Sequence, residues 1–356
     1  MRLEARPQAS MAMSIASPVI ALVITVVLGT LLFIALGKDP VRGLLVFFYE
    51  PIKSGYAISE LGVKATPLIL CALGLAVCYR SNIWNIGAEG QLLLGAIAGG
   101  GVALLANAAT GGWIVVAILI AGALGGMVWA GITALLRDRF NANEILVSLM
   151  LVYIAEMFLS YLVYGPWKDP KGFNFPQTQM FAAGTQVPLL VTGTRLHLGF
   201  LIALAAVAAV WIFMFRTMAG FQLQVGGLAP LAARYAGFSS RRALWTTLLL
   251  SGGVAGIAGS LEAAGPLGQL TPHVSPGYGF TAIIVAFVGR LHPGGVVLAA
   301  LLLSMFIIGG ELAQSRLGLP RSLTGVFQGL LLFSLLACDT LIHYRIVWAR
   351  RLAWNR

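Results

Sequence analysis

Charge is scarce in this chain. Only 10% of its 356 residues are Asp, Glu, Lys or Arg, while 59% are hydrophobic. A soluble domain carries about 25% charged residues. This composition cannot clothe a water-facing surface of ordinary size, and the solvent it implies is lipid. Lysine is scarcer still, confined to Lys38, Lys53, Lys64, Lys168 and Lys171. None closes a G-x-x-x-x-G-K-[ST] phosphate loop, which excludes ATP hydrolysis through that motif. Cysteine is limited to Cys71, Cys78 and Cys338, all within apolar runs. They form no CxxC pair, and no histidine stands at metal-ligand spacing from them. His197, His273, His292 and His343 are scattered. No catalytic set, metal site or cofactor site is predicted. Basic runs interleaved with aromatics are also missing. The formal charge of +11 therefore reads as the basic loops of a membrane protein and not as a nucleic-acid surface.

What the chain has is apolar runs. Ten suggest membrane spans, at residues 18–36, 65–79, 91–107, 113–136, 144–164, 198–215, 243–261, 278–288, 294–312 and 323–343. The first has about the length of a span, and no small-residue cleavage site follows it, so it is read as retained. The second and eighth are short for a ~30 Å hydrocarbon core. Either their neighbours extend them or they are broken helices. With the N-terminus placed on the cytoplasmic side, fourteen of the 23 basic residues fall on that side and nine on the other. The bias puts both termini inside. It is modest because residues 37–64 and 165–195, on the outer face, are basic themselves. The glycines of Gly253-x-x-Gly256-x-x-Gly259 lie within an apolar helix, where small residues let backbones pack closely.

One stretch raises a question of its own. After Tyr79-Arg80 comes Asn85-Ile86-Gly87-Ala88-Glu89-Gly90-Gln91, and then another apolar run. A carboxylate and two amides, bracketed by glycines, stand at the mouth of a hydrophobic segment. One reading is a well-capped helix start, since Asn85 is a capping residue and the helix dipole favours a carboxylate. The other is a polar, backbone-exposing break beside a pathway. The second half has a similar break, Pro276-Gly277-Tyr278-Gly279-Phe280-Thr281. By the topology above, the first enters from inside and the second from outside, the pattern of inverted repeats whose interrupted helices line a path. Chance likeness of two Gly-rich turns is the alternative. The candidate path residues are Asn85, Glu89, Gln91, Tyr278, Phe280 and Thr281, with Tyr278 and Phe280 suited to stacking on an aromatic base. Among other carboxylates, Glu144 is expected in a first helical turn. Asp339 is expected to pair locally with His343, and Glu262 and Glu311 to sit near wet helix ends. Glu156 is expected to make a hydrogen bond inside the bundle.

Residues 216–242 lie between two spans on the inner side. Residues 230–237 read as a short helix begun at Pro and stopped by Gly. Its small apolar face, ringed by Arg, suits docking into a groove of a cytoplasmic partner. A helix lying on the lipid surface is the alternative.

The stretches "NIWNIGAEGQ", "GGLAPLAARYAGF" and "GYGFTAIIVAFVGR", in this order, resemble the permease subunits of bacterial ABC importers in the branched-chain amino acid/ribose/nucleoside family. The N-terminal extension and "GPWKDPKGFNFPQT" resemble the longer permease of nucleoside uptake systems. The resemblance implies an all-α, polytopic permease of the type II ABC importer fold, with about ten transmembrane helices and an inverted repeat. It would be one transmembrane domain over residues 1–356: an N-terminal span and outer-face segment (1–64), a first half (65–164), an outer-face loop (165–197) and a second half (198–356). The implied location is a bacterial inner membrane. The implied partners are a second related permease, a cytoplasmic ATP-binding subunit, and a periplasmic or lipoprotein substrate-binding protein; the ATPase activity would be theirs, so this chain is not expected to be an enzyme. The short inner helix would be the coupling helix, with Gly227, Pro230, Ala233, Arg234, Tyr235 and Gly237 as its contact residues. The implied solute is nucleoside-like. A sugar or branched-chain amino acid is the runner-up, and an ion-coupled carrier working alone is the rival from another class. Ala229, in the turn before Pro230, and Val152 stand where similar sequences often carry Asn; the loss of the mid-span Asn at Val152 removes a hydrogen-bonding group.

Overall fold

The computed structural model describes residues 2–5, 11–107 and 111–347. Arg6, Arg350, Arg351 and Arg356, which entered the charge bias, lie outside the described residues. The chain packs as two compact units, residues 54–304 and residues 1–53 with 305–356.

The smaller unit contains α1 (Met11–Ala35), α2 (Pro40–Leu44), a wide π-type turn over Leu45–Tyr49 and a 3-10 turn over Glu50–Ile52. The larger unit begins with α3 (Gly55–Arg80), α4 (Ala88–Leu105), α5 (Ile114–Phe140) and α6 (Glu144–Tyr164). It continues through α7 (Gly199–Arg216), α8 (Met218–Leu228), α9 (Pro230–Tyr235), α10 (Ser240–Glu262) and α11 (Tyr278–Val288). Helix α12 (Pro293–Leu317) carries the chain back into the smaller unit, which ends with α13 (Ser322–His343). Strands β1 (Arg2–Ala5) and β2 (Tyr344–Val347) pair antiparallel, Arg2 opposite Val347, so the segments flanking α1 and α13 meet at one end of that unit.

Among the described residues nine helices are long and apolar enough to cross a membrane. The protein is a polytopic helical membrane protein. The two short runs resolve differently. The second extends backward into α3, 26 residues long, or about 39 Å at 1.5 Å per residue. Ser54 caps it by accepting from Ala57 N at 3.1 Å. Glu60 and Lys64 interrupt its apolar pattern in sequence, yet Glu60 is buried and bonded to Arg195 Nε at 3.0 Å. The eighth stays short: α11 has 11 residues and spans only about 16 Å.

In the smaller unit α1 packs on α13 around phenylalanines. Phe47 and Phe327 stack with centroids 4.2 Å apart, and Phe306 meets Phe47 edge-on at 5.7 Å. Asp339 accepts from Ser17 Oγ on α1; the side chain of His343, its expected local partner, lies outside the described residues. In the larger unit α10 is the hub for α4 and α5. A Cβ on Gly256 would lie 2.1 Å from Gly122 O, and one on Gly259 would lie 1.9 Å from Leu92 O. These glycines let backbones touch, as the small-residue pattern predicts. Glu144 opens α6 beneath its cap Asn143 and pairs with Arg137 at 3.3 Å. Glu262 is buried, not wet as expected, and Tyr278 at the start of α11 reaches it, donating its hydroxyl at 3.4 Å.

Candidate functional site

The polar stretch after α3 doubles back into the protein. Tyr79, buried at the end of α3, donates its hydroxyl to Asn85 O at 3.0 Å. Asn85 is fully enclosed. Its Nδ2 donates to Gln91 Oε1 (3.1 Å) and Ser251 Oγ (3.0 Å). Its Oδ1 accepts from Gly87 N (2.9 Å) and Gln91 Nε2 (3.2 Å). A carboxamide has two donors and two lone pairs, so this side chain is saturated. Ile86 N donates to Ser148 Oγ at 3.2 Å, fixing the turn to α6. Val152 is buried with its Cα 3.1 Å from where a Gly90 Cβ would be, so the Asn often found at that position would sit beside this cluster.

Helix α4 starts from this cluster, and the start of α11 comes to meet it. Gly277 adopts φ +97, and Ser275 Oγ accepts from Gly277 N (3.2 Å) and Tyr278 N (3.0 Å), capping α11. Gly279 N then donates to Glu89 Oε2 at 2.6 Å across 190 positions of sequence. A Cβ on Gly279 would lie 2.2 Å from Glu89 N, so only glycine admits this approach. Two helix N-termini thus abut with one carboxylate between them. Each brings partial positive charge, and Glu89 answers both. From the junction the helices diverge. Helix α4 leads toward the loop carrying Trp167, which packs on Gly101, while α11 leads toward Arg80 and Leu291.

The structure brings the expected path residues together and buries most of them. Asn85, Glu89, Gln91, Tyr278 and Thr281 are buried and turned on one another or on their neighbours; none presents a free face. Polar groups withdrawn from water need internal partners, and two broken segments supply them to each other. Phe280 alone keeps a substantial exposed surface, 37%.

Beyond the junction, Lys64 Nζ lies 5.9 Å from the Tyr278 ring centroid. The loop over residues 165–197 is stitched to the segment before α11. Thr178 N donates to Leu270 O (3.0 Å), Phe181 N to Gly268 O (2.8 Å) and Val187 N to Ala264 O (3.0 Å). His197 closes this loop. Its Nδ1 accepts from Gly199 N at 3.1 Å, and its buried Nε2 meets no partner. Burial pushes its imidazole down to about 4, so it is neutral.

At the other end of α11 the sequence carries arginine after arginine, and the segment between α7 and α10 folds there. Helix α8 was not foreseen. Its start is capped by Thr217, which accepts from Gly220 N at 3.1 Å, and that Thr was the available signal. Gly227 is small because a Cβ there would lie 2.3 Å from Arg80 O. Helix α9 begins at Pro230 and is followed by Gly237 at φ +80. Pro230, Arg234, Tyr235 and Gly237 are exposed. Ala233 is not: it is 4% exposed and faces inward, against its expected docking role. The surface α9 offers is larger and more apolar than its alanines, with Leu228 86%, Leu231 84% and Tyr235 96% exposed. Behind α9 lies a cavity of about 640 Å³ edged by Arg137, Asp138, Gln222, Arg241 and Arg242. Arg241 pairs with Asp138 at 2.8 Å.

The turn after α11 is strained. Arg290 N bonds Phe287 O (3.0 Å) and Leu291 N bonds Ala286 O (2.8 Å), the paired closure that glycine usually provides. Here Arg290 (φ +57) and Leu291 (φ +52) occupy the left-handed region, at about 1–2 kcal/mol each. Among the described residues no group of three or more His, Cys, Asp or Glu is placed to hold a metal.

Known proteins share this sequence over nearly its whole length. A glucose ABC transporter permease protein of Haloferax volcanii is 37% identical over 93% of this chain and 89% of its own. A guanosine ABC transporter permease protein of Bacillus subtilis is 31% identical, over 87% and 89%. A nucleoside ABC transporter permease protein of Lactococcus lactis is 28% identical over 89% of each. No solved structure matches the chain. The family model for the permease component of branched-chain amino acid transport systems matches residues 57–336, and this chain belongs to that family.

Proposed function

We propose that this chain is the transmembrane permease subunit of an ATP-driven ABC importer, forming the path for a nucleoside-like solute delivered by a binding protein. The observation that carries the reading is the match, along about nine-tenths of the chain, to permeases named for guanosine and nucleosides. ATP hydrolysis belongs to a separate cytoplasmic subunit, consistent with a sequence that has no phosphate-cradling loop. A second related permease and a periplasmic or lipoprotein binding protein complete the assembly. The membrane is a bacterial inner membrane with both termini in the cytoplasm. The arginines around α8–α10 and the β1–β2 pairing of the two ends support that orientation.

The path runs beside the α4–α11 junction. Phe280 faces it and stacks on an aromatic base, while Asn85, Glu89, Gln91, Tyr278 and Thr281 hold the two half-helices that frame it. Helix α9 docks on the ATPase through Leu228, Leu231 and Tyr235, with Arg234 at the rim and Gly227, Pro230, Ala233 and Gly237 setting its pose. A sugar is the second reading, favoured by the 37% identical glucose permease.

The test is reconstitution with the partners encoded beside it. ATP-dependent uptake of labelled guanosine, displaced by other nucleosides and not by glucose, is the expected result. Displacement by glucose alone selects the second reading. Uptake by the purified chain on an ion gradient without ATPase overturns both.

A further inference from the structure

We propose that Arg80 is a positioning residue for transport, the tie through which the α8–α9 segment sets the pose of half-helix α11. The proposal rests on the permease reading above. Arg80 ends α3, and its guanidinium bonds in two directions. Nε donates to Leu291 O at 2.8 Å, and Nη1 donates to Gln224 Oε1 on α8 at 3.2 Å. Its third contact is the Phe215 ring, 5.0 Å from centroid to guanidinium carbon.

Each end of this tie is fixed. Gln224 is held by donating to Met214 O at 2.7 Å. The last turn of α8 sits against the Arg80 backbone at Gly227, so α8 cannot slide without pushing on the end of α3. Leu291 is the second of two consecutive non-glycine residues with positive φ. Such a conformation persists only where the surroundings over-determine it. Here the carbonyl that Arg80 grips is the strained residue's own. Tyr79, next to Arg80, stacks on Phe287 with centroids 5.2 Å apart, so the last turn of α11 is gripped from its side as well.

The connected elements run from α9 through α8, Gln224, Arg80 and Leu291 into α11, whose first turn ends on Glu89 through Gly279. A coupling route needs an element with two arrangements that both ends can bias. The turn at residues 289–292 is that element. Movement of α8 loosens the Arg80 grip, the left-handed pair relaxes, and α11 shifts along its axis at the junction with Glu89.

The test uses the full importer in proteoliposomes, with three variants. Arg80→Lys keeps the charge but has one donor group that cannot fork to both acceptors. Gln224→Leu cuts the tie without touching α11. Leu291→Gly adopts φ +52 freely and removes the strain. For each, uptake per ATP hydrolysed should fall about tenfold, within the usual range of coupling between sites. ATP hydrolysis and complex assembly should stay within about twofold of the parent. Arg80→Lys combined with Gln224→Leu should be no worse than either alone, since both cut one connection. A second measurement needs no transport: in the purified chain, Gln224→Leu should speed amide hydrogen exchange at residues 286–291, which it does not contact. Unchanged uptake per ATP in Arg80→Lys and Gln224→Leu overturns the proposal, as do additive effects or unchanged exchange. Loss of assembly together with uptake makes Arg80 merely structural and overturns it too. A parent complex that fails to import anything refutes the permease reading instead, and the exchange experiment still decides the tie.

Discussion

Glu89→Leu and Glu89→Gln separate what the carboxylate does from what its shape does. In the parent, Gly279 N donates to a carboxylate at 2.6 Å in a buried junction. A bond to a charged group is worth about 1.5–3 kcal/mol and a neutral one about 0.5–1.5 kcal/mol. Glutamine keeps an acceptor in place, so it gives up about 1 kcal/mol there. It also gives up the attraction to two helix ends, roughly 0.3–1 kcal/mol each, and recovers the cost of burying a charge. A net loss of about 1 kcal/mol follows. Leucine leaves the Gly279 amide with no acceptor in a dry interior, a penalty of about 1–3 kcal/mol for the stranded group alone. The expected order is parent, then Gln, then Leu, with about 2–4 kcal/mol between first and last. Amide hydrogen exchange over residues 277–281 reads this directly, since each 1.4 kcal/mol of local opening is about tenfold in rate. Uptake by the reconstituted importer should follow the same order. Leucine protecting Gly279 as well as glutamine does would refute the junction. A glutamine variant more protected than the parent would refute the electrostatic half, because burial of the charge would then outweigh the dipoles.

Tyr235→Ser with Leu231→Ser, on the exposed face of α9, should abolish ATPase pull-down while leaving insertion of the chain unchanged; retention of the ATPase refutes that docking face. Gly256→Ala pushes a methyl into Gly122 O and should destabilise the α5–α10 contact by about 1–3 kcal/mol, read as a lower unfolding midpoint, whereas a neutral result refutes the backbone contact. His197, held at about 4 by burial against an ordinary value near 6.5, takes up its proton more readily when the loop opens. Its share of stability is full above pH 6.5 and falls on acidification to about pH 4, by roughly 3 kcal/mol in total. His197→Asn keeps an acceptor for Gly199 N and should flatten that part of the pH–stability curve; parallel curves refute the assignment.

Much of the architecture was legible because lipid leaves few options. Apolar runs of span length had to become helices, and among the described residues nine helices are long and apolar enough to cross a membrane. Ser54 and the run to Arg80 were one helix, hidden by Glu60 and Lys64, whose charges look foreign until Arg195 and the Tyr278 ring are placed beside them. Helix α8 was hidden for the opposite reason. Two adjacent glycines, Gly226 and Gly227, disfavour a helix by propensity, yet Gly227 is small to clear Arg80 O. The inward turn of Ala233 depends on the backbone at Ala229 (φ −142, ψ 74), which no pattern of alanines reveals. The polarity of the Asn85–Gln91 stretch was visible; its satisfaction was not. Asn85 finds Ser251, and Glu89 finds Gly279, at separations of 166 and 190 residues, and one sequence holds no record of such pairs.

That long-range pairing also answers why a carboxylate stands at the mouth of a hydrophobic segment. A helix that starts inside a membrane protein has backbone donors without partners and a positive end without counter-charge. Two such starts facing each other double the problem, since their ends repel in a medium that screens poorly. A single glutamate at the second position of α4, reaching the second amide of α11, accepts the donor and offsets both ends at once. The glycines follow from the same requirement. Gly279 brings the amide within bonding distance, and Gly277 turns the chain at φ +97 so that Ser275 caps the helix. The capped helix start and the break beside a pathway are therefore one arrangement. The cap joins the two half-helices through the Gly279–Glu89 bond, and Tyr278, bonded beside it to Glu262, holds the same end of α11 to α10.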